Sequence, residues 1–290
     1  MTQAQEAAKY YRPQLTDAGL SPTHAVIATD EYGAQRETYI AGERPLTLYV
    51  DKREIVTLMT LGNRPEALAL GYLRNQGLVE NIEEIKAVQA DWETESVVVV
   101  THHGVKGIEQ RMAKRTVTSG CGQGTVFGSM MDKLDEVKLP KVQLRQSEMY
   151  RLLHNLANYN EVYKQAGAVH GCALCRGEEI LMFVEDVGRH NAADAIAGYM
   201  WLERMSGGDK LFYTTGRLTS EMVIKVAQMG IPILLSRSGI TQMGLELAQK
   251  VGVTMIARAK GRHFLAFNGD ILFDAPPPVR AAERYATDAE

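Results

Sequence analysis

Lys210-Leu211-Phe212-Tyr213-Thr214-Thr215-Gly216-Arg217-Leu218-Thr219-Ser220-Glu221 is the stretch on which the fold turns. Residues of strand character run into a glycine-containing loop, and Thr219-Ser220-Glu221 then opens a helix that Gly230 closes. The unit recurs at once: the strand Ile233-Leu234-Leu235, the loop Ser236-Arg237-Ser238-Gly239, and a helix opened by Thr241 and closed by Gly252. Strand, loop and helix repeated this way predict a mainly parallel sheet with helices on its faces.

The pattern extends in both directions. Ala168 to Leu174 and Ile180 to Val184 are expected to pair around Arg176-Gly177-Glu178, followed by a helix from about Asn191 to Met205. Before them, Ser147 is placed to cap a helix whose Met149, Leu152, Leu153 and Leu156 follow the 3.6 period. Thr254 to Ile256 and Phe264 to Phe267 are the last strands, and the turn Asn268-Gly269 leads to Ile271-Leu272-Phe273.

Residues 25–140 read differently. Val26-Ile27, Thr38-Tyr39-Ile40, Leu46 to Val50 and Ile55 to Met59 are short strands, the last two joined by a hairpin over Asp51-Lys52-Arg53-Glu54. Pro65 and Glu66 start a helix ended by Gly77, with Leu68 and Tyr72 inward and Gly71 allowing close packing. Strands near Ala87 to Gln89 and Ser96 to Thr101 follow. The expected class is therefore α/β, α+β overall. Residues 1–24 would be loosely ordered, 25–140 a β-rich domain ending in a loop around Cys121, 141–275 an α/β domain, and 276–290 an exposed tail.

Composition narrows the function. A formal net charge of -3 on 290 residues argues against a general nucleic-acid binder. Three cysteines fit a reducing, cytoplasmic setting, and no apolar run is long enough to span a bilayer.

In open α/β sheets, ligands bind where loops leave the carboxyl ends of strands. Three such loops here are Glu185-Asp186-Val187-Gly188-Arg189-His190-Asn191, Thr214-Thr215-Gly216-Arg217 and Ser236-Arg237-Ser238-Gly239. Each has glycine, arginine and hydrogen-bonding side chains ahead of a helix. With the strip Arg258-Ala259-Lys260-Gly261-Arg262 they point to one polyanionic ligand carrying several phosphates, against the alternative of ordinary solvated turns. Arg189, His190, Thr215, Arg217, Arg237 and Ser238 are the candidates at the loops.

Two cysteine patterns carry chemistry. Thr118-Ser119-Gly120-Cys121-Gly122-Gln123-Gly124 follows the basic run Arg111-Met112-Ala113-Lys114-Arg115. That arrangement suits a nucleophilic thiolate on an arm, and equally a Gly-rich turn over a small apolar Cys. His170-Gly171-Cys172-Ala173-Leu174-Cys175 has the ligand types of a zinc deaminase. The three ligands are too close together and lack an adjacent Glu, so no metal site is expected.

Taken together the residues resemble the formate dehydrogenase accessory sulfurtransferases, the FdhD/NarQ family. Glu185-Asp186-Val187-Gly188-Arg189-His190-Asn191-Ala192 carries most of the resemblance. It is joined by His170, Ala69-Leu70-Gly71-Tyr72, Thr118 to Gly122, Gly216-Arg217 through Glu221-Met222-Val223, and Gly230-Ile231-Pro232. The resemblance implies a C-terminal domain like cytidine deaminase without its zinc. It implies that Cys121 is a persulfide carrier loaded by a cysteine desulfurase. Ala257, Arg258, Ala259, Lys260, Gly261 and Arg262 would then belong to a site for the molybdenum bis(molybdopterin guanine dinucleotide) cofactor. The client would be formate dehydrogenase or a related molybdoenzyme, and the chain a homodimer in the cytoplasm.

Two positions depart from the family pattern. Gly124 stands where a second cysteine is common, and Ala195 follows Asp194 where lysine is common. They leave open a cofactor-binding chaperone without sulfur transfer, while Cys172 with Cys175 is the only support for a zinc-dependent hydrolase.

Overall fold

A computed structural model describes residues 11–105, 107, 108, 116, 117, 124, 125, 134 and 137–276. Strands β1 (Gln14–Leu15), β2 (Thr23–Thr29), β3 (Gln35–Ala41), β4 (Arg44–Val50) and β5 (Arg53–Thr60) precede helix α1 (Pro65–Asn75). Then come β6 (Ile85–Asp91) and β7 (Ser96–Thr101). Along β4, Leu46, Leu48 and Val50 are buried while Thr47 and Tyr49 are not, the period-2 signature of a sheet with one dry face. The five-stranded sheet has the order β1-β6-β7-β4-β5, and β2 pairs with β3 as a separate ribbon.

Residues 11–24, expected to be loose, are tied down. Gln14 and Leu15 pair with Ala87 and Val88, and Trp92 Nε1 donates to Ala18 O at 2.6 Å. Their polar composition hid this, because the contacts are made by backbone and single side chains. Strands β8 (Thr116–Val117) and β9 (Gly124–Thr125) pair antiparallel, with Val117 opposite Gly124. Cys121 and its neighbours between them lie outside the described residues.

The second unit runs β10 (Leu144–Arg145), α2 (Gln146–Leu156), α3 (Glu161–Ala166), β11 (His170–Arg176), β12 (Glu179–Asp186) and α4 (Arg189–Leu202). It continues through β13 (Leu211–Thr214), α5 (Ser220–Gln228), β14 (Ile233–Ser236), α6 (Gln242–Val251), β15 (Thr254–Lys260), β16 (His263–Asn268) and β17 (Ile271–Leu272). Its main sheet has the order β12-β11-β13-β14-β15-β16.

That sheet is mixed rather than mainly parallel. Only β13–β14 and β14–β15 are parallel; β11–β12, β11–β13 and β15–β16 are antiparallel. Tight turns join β11 to β12 and β15 to β16, and so short a connection cannot make a parallel crossover. Nor does Ser147 cap α2. Arg145 holds the N-cap position, and the Asp274 carboxylate accepts from Ser147 N at 2.9 Å and from Ser147 Oγ at 2.8 Å. Thr241 does cap α6, accepting from Gly244 N at 3.2 Å, and Gly252 ends it with φ +78°.

Alternation along the central strands splits the core into layers. Cys172, Leu174, Phe212, Leu234 and Met255 face α4, α5 and α6 in a core that also includes the inner face of the first sheet and α1. Ala173, Cys175, Leu211, Tyr213, Ile233, Leu235 and Ile256 face α2 on the other side. Among the described residues no helix is long and apolar enough to cross a membrane.

Candidate ligand clefts and the network behind them

Thr214 ends β13 and Ser236 ends β14, side by side in parallel register. Their loops therefore leave the sheet together. Ser236 Oγ donates to Gly216 O at 2.7 Å and accepts from Ser238 N at 2.9 Å, while Arg258 N donates to Ser238 O at 2.9 Å. Thr215 is fixed against the start of β11: its N–H donates to Gly171 O at 2.8 Å, and its Oγ1 accepts from Gly171 N at 3.0 Å.

Two clefts adjoin there. The smaller, about 190 Å³, is lined by Asn160, Tyr163, Val169, His170, Gly171, Thr215 and Arg237. The larger, about 280 Å³, has a floor of Leu153, Leu156 and Ala157, with Tyr163, Tyr213, Lys164, Arg237, Ala259, Lys260 and Gly261 around it. Asn160, Tyr163 and Arg237 form the wall between them. Lys164, Arg237 and Lys260 are exposed, so the rim offers cations above an apolar and aromatic floor. That chemistry suits a planar ring carrying phosphate. His170 is held neutral, its pKa lowered by burial and by the fields of Arg189 and Arg217. Burial pushes the Tyr213 phenol up to about 12, leaving it a neutral donor.

Of the sequence candidates, Thr215, Arg237, Ala259, Lys260 and Gly261 thus come together. Arg217 is exposed in its loop, and Ser238 contributes backbone hydrogen bonds. Ala257 is fully buried in the same core as Cys172, Phe212 and Met255. Arg258 is exposed at φ +52°, and the Arg262 guanidinium lies 5.3 Å from the centroid of the Tyr150 ring. Arg189 and His190, the first residues of α4, are buried at 3% and 2% exposure. The Arg189 side chain packs so closely on Gly216 that a Cβ there would lie 2.4 Å from its Cδ.

His190 Nε2 stands 3.2 Å from Glu221 Oε2, a distance that would suit an ion pair. Burial, and then Lys225 and Arg189, hold the imidazole well below its ordinary pKa, so it is neutral and the contact is not counted as a salt bridge. The rest of the signature is a joint between the two units. Asp186 accepts from Thr60 Oγ1 at 2.6 Å and Asn191 Nδ2 at 2.9 Å, and Asn191 Nδ2 also reaches Met59 O at 2.6 Å. Deeper, Asp194 accepts from Asn75 Nδ2 at 2.7 Å and from Lys225 Nζ at 2.7 and 2.6 Å. The cation beside Asp194 comes from α5, although Ala195 follows it in sequence.

The two described thiols are free and buried. Burial pushes both Cys172 and Cys175 up to about 12. They face opposite sides of the sheet, so they do not form one ligand set with His170. Among the described residues no cluster of three His, Cys, Asp or Glu side chains is placed to hold a metal ion.

Residues 41–271 match the FdhD/NarQ family model. The chain belongs to the FdhD/NarQ family. It is 31% identical over 252 residues to the sulfur carrier protein FdhD of Listeria monocytogenes serotype 4b, covering 85% of this chain and 97% of that one. Against the sulfur carrier protein FdhD of Bacillus subtilis the identity is 30% over 229 residues, covering 79% and 87%. In three dimensions it is similar to a protein from Desulfotalea psychrophila assigned as a formate dehydrogenase accessory protein. That match has a TM-score of 0.68 at 28% identity and covers 86% of this chain and 97% of the other. Nothing in the sequence marked Asn160, Tyr163 and Lys164, because α3 is six residues long with no buried residue and Asn160 is only its N-cap.

Proposed function

We propose that this chain is a sulfur carrier for the maturation of formate dehydrogenase or a related molybdoenzyme. A cysteine desulfurase persulfide gives its terminal sulfur to the Cys121 thiolate; the donor leaves as a thiolate and Cys121 becomes the persulfide. The receiving substrate is the molybdenum bis(molybdopterin guanine dinucleotide) cofactor, whose guanine and diphosphate groups suit the paired clefts. The observation that carries this reading is the convergence of Thr215, Arg237 and Lys260 on two adjoining clefts in a chain of the FdhD/NarQ family. The burial of Cys172 and Cys175 leaves Cys121 as the remaining thiol for sulfur chemistry.

The C-terminal unit is read as a deaminase-like layer that works without zinc, the chain as a cytoplasmic homodimer. Gly124, paired with Val117 where a second family cysteine is common, favours a second reading: cofactor binding without sulfur transfer. Complementation separates the two. In a strain lacking the gene, Cys121→Ala should fail to restore the molybdoenzyme while the purified variant still binds GDP. Full rescue by Cys121→Ala would leave the chaperone reading.

A further inference from the structure

Helix α3 and its N-cap Asn160 supply two of the three residues of the wall shared by both clefts, yet none of the helix's six residues is buried. So short a helix has no stability of its own and must be held from outside. Its first N–H groups have no partners within the helix. Glu185 supplies them: Oε2 accepts from Val162 N at 2.9 Å and Oε1 from Tyr163 N at 3.0 Å. Both carboxylate oxygens are thus committed to α3, from a residue only 6% exposed on a strand of the six-stranded sheet. In the ladder Glu185 lies opposite Gly171, the residue that fixes Thr215. One other side-chain tie to α3 is an exposed one, Thr23 Oγ1 to Gln165 Oε1 at 3.1 Å. Burial of the Glu185 carboxyl raises its pKa, an expense that a strand position with no further role would avoid.

We infer that Glu185 is a positioning residue for ligand binding, its carboxylate setting α3 so that Asn160 and Tyr163 stand where the two clefts meet. The inference rests on the reading that these clefts take the cofactor's guanine and diphosphate groups. Glu185 touches no ligand; it acts through Tyr163 and Asn160.

Calorimetry with GDP on the full chain tests it, comparing the parent with Glu185→Ala, Glu185→Gln, Tyr163→Ala and the double variant Glu185→Ala/Tyr163→Ala. Glu185→Ala should weaken binding roughly tenfold. Glu185→Gln keeps one acceptor and nearly the same shape, so it should fall between the two and covers the case where the alanine variant does not fold. The double variant should bind no more weakly than the weaker single, since both changes spoil the same wall. Hydrogen exchange should speed up at the Val162 and Tyr163 amides ahead of the rest of the chain. Equal affinity in the parent and both Glu185 variants, or losses that multiply in the double variant, would overturn the role while leaving the clefts as the binding site. A parent that does not bind GDP would instead remove the binding reading, and the role with it.

Discussion

Gly71 of α1 and Gly198 of α4 meet backbone to backbone where the two helices cross. A Cβ on Gly71 would stand 1.6 Å from Asp194 O, and one on Gly198 would stand 1.9 Å from Ala67 O. The neighbouring atoms are main chain and cannot rotate away, so either helix must move as a body. Gly71→Ala or Gly198→Ala should each cost about 3 kcal/mol or more, the upper end of overpacking penalties. Urea denaturation checks this; an unchanged midpoint would show that the crossing is looser than described.

Asp194 and Lys225 sit next to that crossing at 0% and 1% exposure. Removing one charge strands the other in the core. Lys225→Met alone should cost about 3–5 kcal/mol, and adding Asp194→Asn should recover much of it. The same denaturation series measures both, and additive losses would contradict the pairing.

His190 gives a pH dependence of defined sign. Its folded pKa is depressed, chiefly by burial, so the neutral imidazole is the stable form. Stability from this group is complete above its unfolded pKa of about 6.5 and is lost as pH falls below that, by at most about 1.4 kcal/mol per pH unit. His190→Gln removes the titration, so the parent should lose stability faster than the variant between neutral and mildly acid pH. Parallel curves would contradict it.

Thiol reactivity separates the cysteines. With Cys172 and Cys175 buried and their pKa values near 12, neither should react with a thiol reagent in the folded protein at neutral pH, and both should react in denaturant. Native labelling at either site would show that the sheet opens more readily than its packing implies.

Much of this was legible in the sequence, for reasons visible at particular residues. Thr241 and Gly252 bracket α6 because capping chemistry is local. Gly71 foretold a close helix contact because only a missing side chain allows one. The hairpin over Arg176-Gly177-Glu178 was legible, but the mainly parallel reading failed because β11 also pairs antiparallel with β13 and β16 with β15, and partner choice is not encoded in any local pattern. Helix α3 was missed because its anchor, Glu185, lies more than twenty residues away in sequence. The loops of Thr215 and Arg237 do come together, because they leave parallel neighbours in the sheet. Arg189 and His190 share the same local pattern, yet α4 packs them inward, and burial is a tertiary property.

The central claim is that Cys121 carries sulfur. Incubation with a cysteine desulfurase and cysteine, followed by intact and peptide mass spectrometry, tests it directly. The account predicts a one-sulfur adduct on Cys121, removed by reductant and absent from Cys121→Ala. No adduct on the parent, or an adduct mapped to Cys172 or Cys175, would contradict it.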